Sequence, residues 1–423
     1  MLSLLLAENT LEGRFFDRAE HIYWNALRYS QYHYGNFTAM DRLPGPVRGG
    51  DGWFCCGWWG TKGLYEVARH IWASSPTALY VNDYLPSSVT LPIAGQQVKA
   101  SLEANLPASG QVKLRLAPEK PGEFELKLRI PGWAGLLAVR VNGRPEAVSK
   151  SQGYATLQRR WQAGDVVEAD LALPLRIVLD NAWDTLPEGR VSLDGGPEQP
   201  ARCIMVMRGP VILAQFRVNH GVDVNWAFTG DHPDLFETLT TATDQIEGPD
   251  WTFEATTAPT LVSVRHTPEG VLLEWSFEPA PGWKLSRTAL VRDEVPVRIE
   301  YGAELTALDT QVLAGLKSVR LLGVRMHTGG FVDYTKAKLL LGGKEVAPSD
   351  LGERPLPGRQ ATLDNGYVQF SLKAEKGRLM CEEGGDWTGL WVLPERQDNR
   401  LLARSVLRVT GQNQFVLPVI YPE

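Results

Sequence analysis

The period of the apolar residues changes at Pro76, and few folds accommodate that change. Before it, Phe15, Ala19, Ile22, Ala26 and Tyr29 recur at spacings of three and four. Leu64, Val67, Ala68, Ile71 and Trp72 do much the same. Such spacing puts apolar side chains on one face of a helix. After Pro76, Val112-Lys113-Leu114-Arg115-Leu116 and Phe124-Glu125-Leu126-Lys127-Leu128-Arg129-Ile130 alternate apolar with polar. Alternation of this kind marks half-buried strands. Turn pairs punctuate them at Pro121-Gly122, Pro131-Gly132 and Asn142-Gly143, the last inside a run that reads as a tight hairpin. The chain is therefore expected to be α+β and multidomain, with helices confined to about residues 1–75 and strands beyond. Short strands at this spacing with no helices between them point to β-sandwiches.

At 423 residues the chain is too long for one ordinary core. Three divisions are expected: helices over 1–76, a β-sandwich over 77–217, and a second β-rich sandwich over 218–423. The last opens with an irregular stretch carrying His220 and His232, then strands such as 271–275, 319–322 and 414–417. The apolar fraction of 43% and charged fraction of 22% are those of a globular protein. A net charge of −6 argues against nucleic acid or an anionic membrane as partner. No apolar run reaches the length of a membrane span. Met1 to Ala7 is apolar but lacks a positive n-region and is short for a signal peptide; it reads as the end of a buried helix.

Chemistry concentrates in Gly52-Trp53-Phe54-Cys55-Cys56-Gly57-Trp58-Trp59-Gly60. Adjacent cysteines rarely bond to each other, because the closed ring strains the S–S geometry. Two neighbouring thiols instead suit one zinc ion, and one of them could attack a substrate. A helical pattern follows directly, and a helix N-terminus lowers a thiol pKa. The plainer reading is that both are small core hydrophobes. His33 and Tyr34, on the loop feeding the pair, and Trp58 just after it, are candidate sugar contacts. Ordinary packing is their alternative role.

The order of short motifs carries a resemblance. Asp17-Arg18-Ala19-Glu20 and Trp24-Asn25 lead to the Cys-Cys pair and then to Leu79-Tyr80-Val81-Asn82. Next come Ile130-Pro131-Gly132-Trp133-Ala134, Val141-Asn142-Gly143, Gly153-Tyr154, Arg160-Trp161-Gln162-Ala163-Gly164-Asp165 and Arg208-Gly209-Pro210. Over roughly residues 11–216 this order resembles the β-L-arabinofuranosidases of glycoside hydrolase family 127. The resemblance implies an (α/α)6 six-hairpin toroid followed by β-sandwiches. It implies a retaining glycosidase with Cys55 as nucleophile and zinc ligand and Cys56 as a further zinc ligand. It also implies an upstream Glu-x-Cys pair and an upstream acid/base glutamate. No Glu-x-Cys precedes Cys55 here, and Glu8, Glu12 and Glu20 do not align with the acid/base. The chain is thus expected to be the C-terminal portion of such an enzyme, with a partial toroid and an incomplete Zn2+ site.

Three functions follow. The first is a glycoside hydrolase of arabinose-containing glycans, incomplete as this chain, with self-association through helix faces left uncovered. The second is a non-catalytic carbohydrate-binding β-sandwich protein. The third is a structural or interaction protein in which the cysteine pair is core.

Overall fold

The computed structural model describes residues 2–10, 12–27, 54–106, 108–179, 189–192, 203–217, 221–223, 244–254, 261–294, 297–307, 312–327, 337–351, 354–364, 368–384 and 387–411. The chain is mostly β-sheet with few helices. Its α-helices among the described residues are α1 (Leu2–Thr10), α2 (Gly13–Ile22) and α3 (Phe54–His70). None is long and apolar enough to cross a membrane.

Two compact units form. The first takes residues 1–31, 53–174 and 208–211; the second takes the remainder. The lines expected at 76 and 217 are not where these units part. Helix α2 is tied by ion pairs to the strands that follow it, which makes helices and first β region one body. Downstream, Val178, Met205, Met207 and Ile212 share a small apolar core and fall with the second unit.

In the first unit, a five-stranded sheet runs β1 (Trp72–Ser75), β2 (Ala78–Val81), β6 (Gly122–Arg129), β10 (Tyr154–Trp161), β9 (Ser149–Ser151). A six-stranded sheet runs β3 (Ser87–Ile93), β4 (Gln96–Asn105), β5 (Ser109–Pro118), β11 (Asp165–Leu171), β7 (Leu136–Val141), β8 (Arg144–Pro145). Neighbours pair antiparallel, except that β2 lies parallel to β6. The alternation seen in sequence sets the buried faces: Val112, Leu114 and Leu116 on β5, and Phe124, Leu126 and Leu128 on β6. The β7–β8 hairpin turns at Asn142 and Gly143, both with positive φ (52° and 76°), as the primed turn of a two-residue hairpin requires. Asp165 steadies this corner by accepting from Asn142 Nδ2 and from the Gln162 N–H, each at 2.9 Å.

Two helical expectations are corrected. Residues 72–75 continue the apolar pattern of α3 but form β1, because Trp72 to Ser75 pair with Val81 to Ala78 around a tight turn. The buried side of α2 is turned from the expected one: Phe16, Glu20, Tyr23 and Trp24 are buried, while Ile22 is 45% exposed. The helix passes into a π-helical turn at Tyr23–Leu27, which shifts the phase of the residues after it. The inward charge of Glu20 is acceptable because a cation meets it.

The second unit is all β among its described residues, apart from short 3-10 turns at Val312–Gly315 and Pro348–Asp350. Its widest sheet has eleven strands and centres on Trp283–Arg292, Val297–Ala307, Arg400–Gly411 and Val368–Lys376. The expected strands at 271–275 and 319–322 lie within Gly270–Phe277 and Ser318–His327. The run at 414–417, with His220 and His232, lies outside the described residues.

Candidate functional site

Helix α3 places Cys55 and Cys56 in its first turn. Unsatisfied N–H groups and the positive end of the helix dipole lie there. No acidic residue occupies that turn, and Arg69 and His70 sit in the last one, so the helix carries no charge of its own that would offset the field at the cysteines. The side chains of both cysteines, and all of His33 and Tyr34, lie outside the described residues.

Trp58 and Trp59 follow directly, 62% and 61% exposed. Lys62 Nζ stands 5.2 Å from the centroid of the Trp59 ring, a cation–π arrangement. One face of α3 packs inward through Gly60 and Leu64. The expected inward residue Ala68 is exposed, since it falls off that stripe. Two largely exposed indoles, of which Trp59 carries Lys62 over its ring, form a surface on which a sugar ring could stack.

Among the described residues, no group of three or more His, Cys, Asp or Glu is arranged to hold a metal. The three glutamates upstream of the cysteines are engaged. Glu8 meets Arg69 at 3.4 Å and His70 at 3.6 Å. Glu12 meets Arg14 at 2.6 Å. Glu20 is only 2% exposed; its Oε2 accepts from Arg129 Nη2 and Trp133 Nε1, each at 2.7 Å. Cys381 is buried, and burial, then Glu383 and Glu382, push its thiol up to about 12, so it is inert at neutral pH.

A second constellation went unnoticed in the sequence. Arg129, fully buried at the end of β6, donates to Asp17 and Glu20 of α2. Its own carbonyl accepts from the Tyr84 hydroxyl. Asp17 Oδ1 also accepts from the Gly132 N–H at 3.0 Å. A Cβ at Gly132 would stand 2.6 Å from Asp17 Oδ2, so this close approach needs glycine. Asn82 joins the group, accepting from Tyr154 Oη at 2.8 Å and donating to the His70 carbonyl at 3.1 Å. Asn25 Nδ2 donates to the Pro210 carbonyl at 2.7 Å.

The electrostatics of this joint are lopsided, with three carboxylates around one guanidinium. Burial works against the Arg129 charge, but Glu20, Asp17 and Asp83 outweigh it and raise its pKa. Partly buried Asp83 is pushed up to about 7, by burial first and the Glu20 charge second; Arg129 and the Tyr84 N–H pull the other way. Burial likewise raises the Tyr84 and Tyr154 hydroxyls. The signal in sequence was the motif set itself. Asp17 to Glu20, Trp24-Asn25, Val81-Asn82, Gly132-Trp133, Gly153-Tyr154 and Arg208-Gly209-Pro210 supply this cluster or its immediate surroundings. They meet at a joint between helix and sheet.

Comparison with known proteins bears on the middle of that series of motifs. Residues 78–173 match the family described as Beta-L-arabinofuranosidase, GH127 middle domain. Among solved structures, a GH127 β-L-arabinofuranosidase from Geobacillus stearothermophilus T6 is 21% identical with a TM-score of 0.41, covering 70% of this chain and 44% of its own. The GH127 β-arabinofuranosidase BT3674 is 17% identical with a TM-score of 0.40, covering 75% and 43%. A GalM/aldose epimerase homologue from C. elegans is 11% identical with a TM-score of 0.24, covering 53% and 99%. The chain thus spans less than half the length of these two GH127 proteins. No curated protein matches it.

Proposed function

We propose that this chain, a member of the GH127 family through its middle domain, is the part of a retaining β-L-arabinofuranosidase that carries the cysteine nucleophile. The observation behind this reading is one of placement. In the unit that holds the GH127 middle domain, an α-helix opens on Cys55 and Cys56. Helices α1 to α3 are then the end of an (α/α)6 toroid, and the two β regions are its sandwich domains.

In this reading Cys55 attacks the anomeric carbon of an arabinofuranoside as thiolate. The glycosidic C–O bond breaks, an acid protonates the departing oxygen, and a thioglycosyl link to Sγ forms. Water, activated by the same group acting as base, then displaces Sγ, and two inversions give retention. Glu8, Glu12 and Glu20 are poor candidates for the acid, since each is held by a cation elsewhere. Trp58, with His33 and Tyr34, would hold the sugar. Zinc fits the donor chemistry in kind, because Cys55 and Cys56 are adjacent soft ligands. They fall short of the three or four donors such a site uses. Bound there, the ion would keep a thiol deprotonated at neutral pH.

Thiol alkylation tests this reading. At pH 7, iodoacetamide should label Cys55 faster than Cys381, and an arabinofuranoside should slow the labelling. Any hydrolysis of an aryl β-L-arabinofuranoside should vanish in Cys55→Ser, while Cys56→Ser should chiefly weaken metal binding. Turnover that survives Cys55→Ser, or labelling of Cys55 no faster than that of Cys381, refutes the assignment.

A further inference from the structure

The wide sheet of the second unit carries a dent in its half-exposed face. Gly302 sits mid-strand in Val297–Ala307, in register with Thr288 on one neighbour and Arg404 on the other. A Cβ on Gly302 would come within 2.5 Å of Thr288 Oγ1, so any other residue would crowd the floor of the dent. Glycine in a strand interior weakens the strand and often marks a place where a ligand or another backbone approaches. The cleft above it measures about 360 Å3, within the range of small-ligand sites.

Its walls are polar and unevenly charged. Lys376 and Arg404 are direct cross-strand partners, and the register shifts between Ala374 and Lys376. Like charges placed opposite one another on a sheet are destabilising, and bulges often serve to re-aim a side chain. Arg400 completes a trio of cations against one carboxylate, Glu304, which it meets at 3.5 Å. Lys376 Nζ donates to Gln397 Oε1 at 3.1 Å. Arg404 enters no ion pair among the described residues. Solvated charge is the ordinary state of a sheet face, but it accounts for neither the glycine floor nor the bulge that sets two cations opposite each other.

We infer that this cleft binds a carboxylate-bearing saccharide, a uronate residue of a glycan chain. The cations suit its carboxylate, which arginine can grip with two parallel hydrogen bonds. Glu304 and Gln397 accept from its hydroxyls, and Ser286 and Thr288 complete the hydroxyl-bonding wall. A phosphodiester chain fits less well. It offers few hydroxyl donors to Glu304, and among the described residues no aromatic ring lines the cleft on which a base could stack. The inference is read from the cleft alone and does not need the cysteine chemistry.

Affinity electrophoresis of the full chain tests it without any turnover. Polygalacturonate in the gel should retard the protein, added salt should reduce the effect, and neutral arabinan should not reproduce it. Arg404→Ala and Lys376→Ala should each weaken binding by roughly 10-fold, the worth of a hydrogen bond to a charged group. Arg404 is exposed and Lys376 half-buried, and unchanged thermal unfolding would verify that the variants fold. Gly302→Val, which fills the floor, should abolish retardation. Four results would overturn the inference: no retardation of the native chain, equal retardation by arabinan, undiminished binding in both folded cation variants, or tighter binding of single-stranded DNA than of polygalacturonate.

Discussion

Replacing Asp83 by Asn isolates the imbalance at the α2 joint. Asp83 is raised from 3.8 to about 7 in the folded chain. Between those values the folded state holds a proton that the unfolded chain has released, so raising the pH favours unfolding. Each pH unit of that window is worth about 1.4 kcal/mol, and the whole window ~4 kcal/mol as an upper bound. Asp83 is only partly buried, so water screens the penalty to about 1–2 kcal/mol. Asparagine keeps the oxygen that accepts from the Tyr84 N–H at 2.7 Å and removes the charge. At pH 8 the variant should melt higher than the parent, by about 2–4 °C per kcal/mol for a unit of this size. At pH 4 the two should nearly coincide, because the folded chain then holds Asp83 protonated and the pH has barely entered the window above 3.8. Scanning calorimetry at the two pH values reads the difference directly. A difference that is the same at both pH values, or a parent that gains on the variant as pH rises, refutes the assignment of a neutral Asp83 beside Glu20.

Two further outcomes follow from the same unit. Arg129→Met should cost about 3–5 kcal/mol, because it strands the buried Glu20 charge and the half-buried Asp17; urea unfolding monitored by circular dichroism measures it. The exposed large hydrophobics among the described residues, Leu5, Leu6, Ile22, Trp58, Trp59 and Tyr65, all lie on α1 to α3, so the chain should bind an apolar dye and associate as concentration rises. The pair Trp58→Ser and Trp59→Ser should lower both signals, and dye binding unaffected by that double change would show that the patch lies elsewhere.

The strands were legible because their faces differ. Leu114 and Lys113 answer to core and water, so a period of two survives in the sequence, and the Asn142-Gly143 turn announces itself through its need for positive φ. Helix α2 was legible as a helix but not in its orientation. Hydrophobicity ranks Glu20 as outward and Ile22 as inward, and it cannot register a cation that arrives from Arg129, over a hundred positions away. Residues 72–75 misled for a different reason: Trp72 extends the helical stripe, and only pairing with Ala78 to Val81 decides for strand. For the site, the cysteine pair stood out by adjacency. The cleft at Gly302 had no local signature, because its residues come from separate strands and meet only through register.

The joint at Arg129 also bears on how the chain is made. The ribosome delivers Asp17 and Glu20 first, and their shared partner trails Glu20 by 109 positions. At about 5–20 residues per second, α2 waits on the order of 5–20 s with its acids unmatched. Contacts of such long sequence separation form late and slowly. The helix thus depends on β6 for its charge partner, and a break in the polypeptide between α2 and β6 would leave the two fragments to find each other by collision.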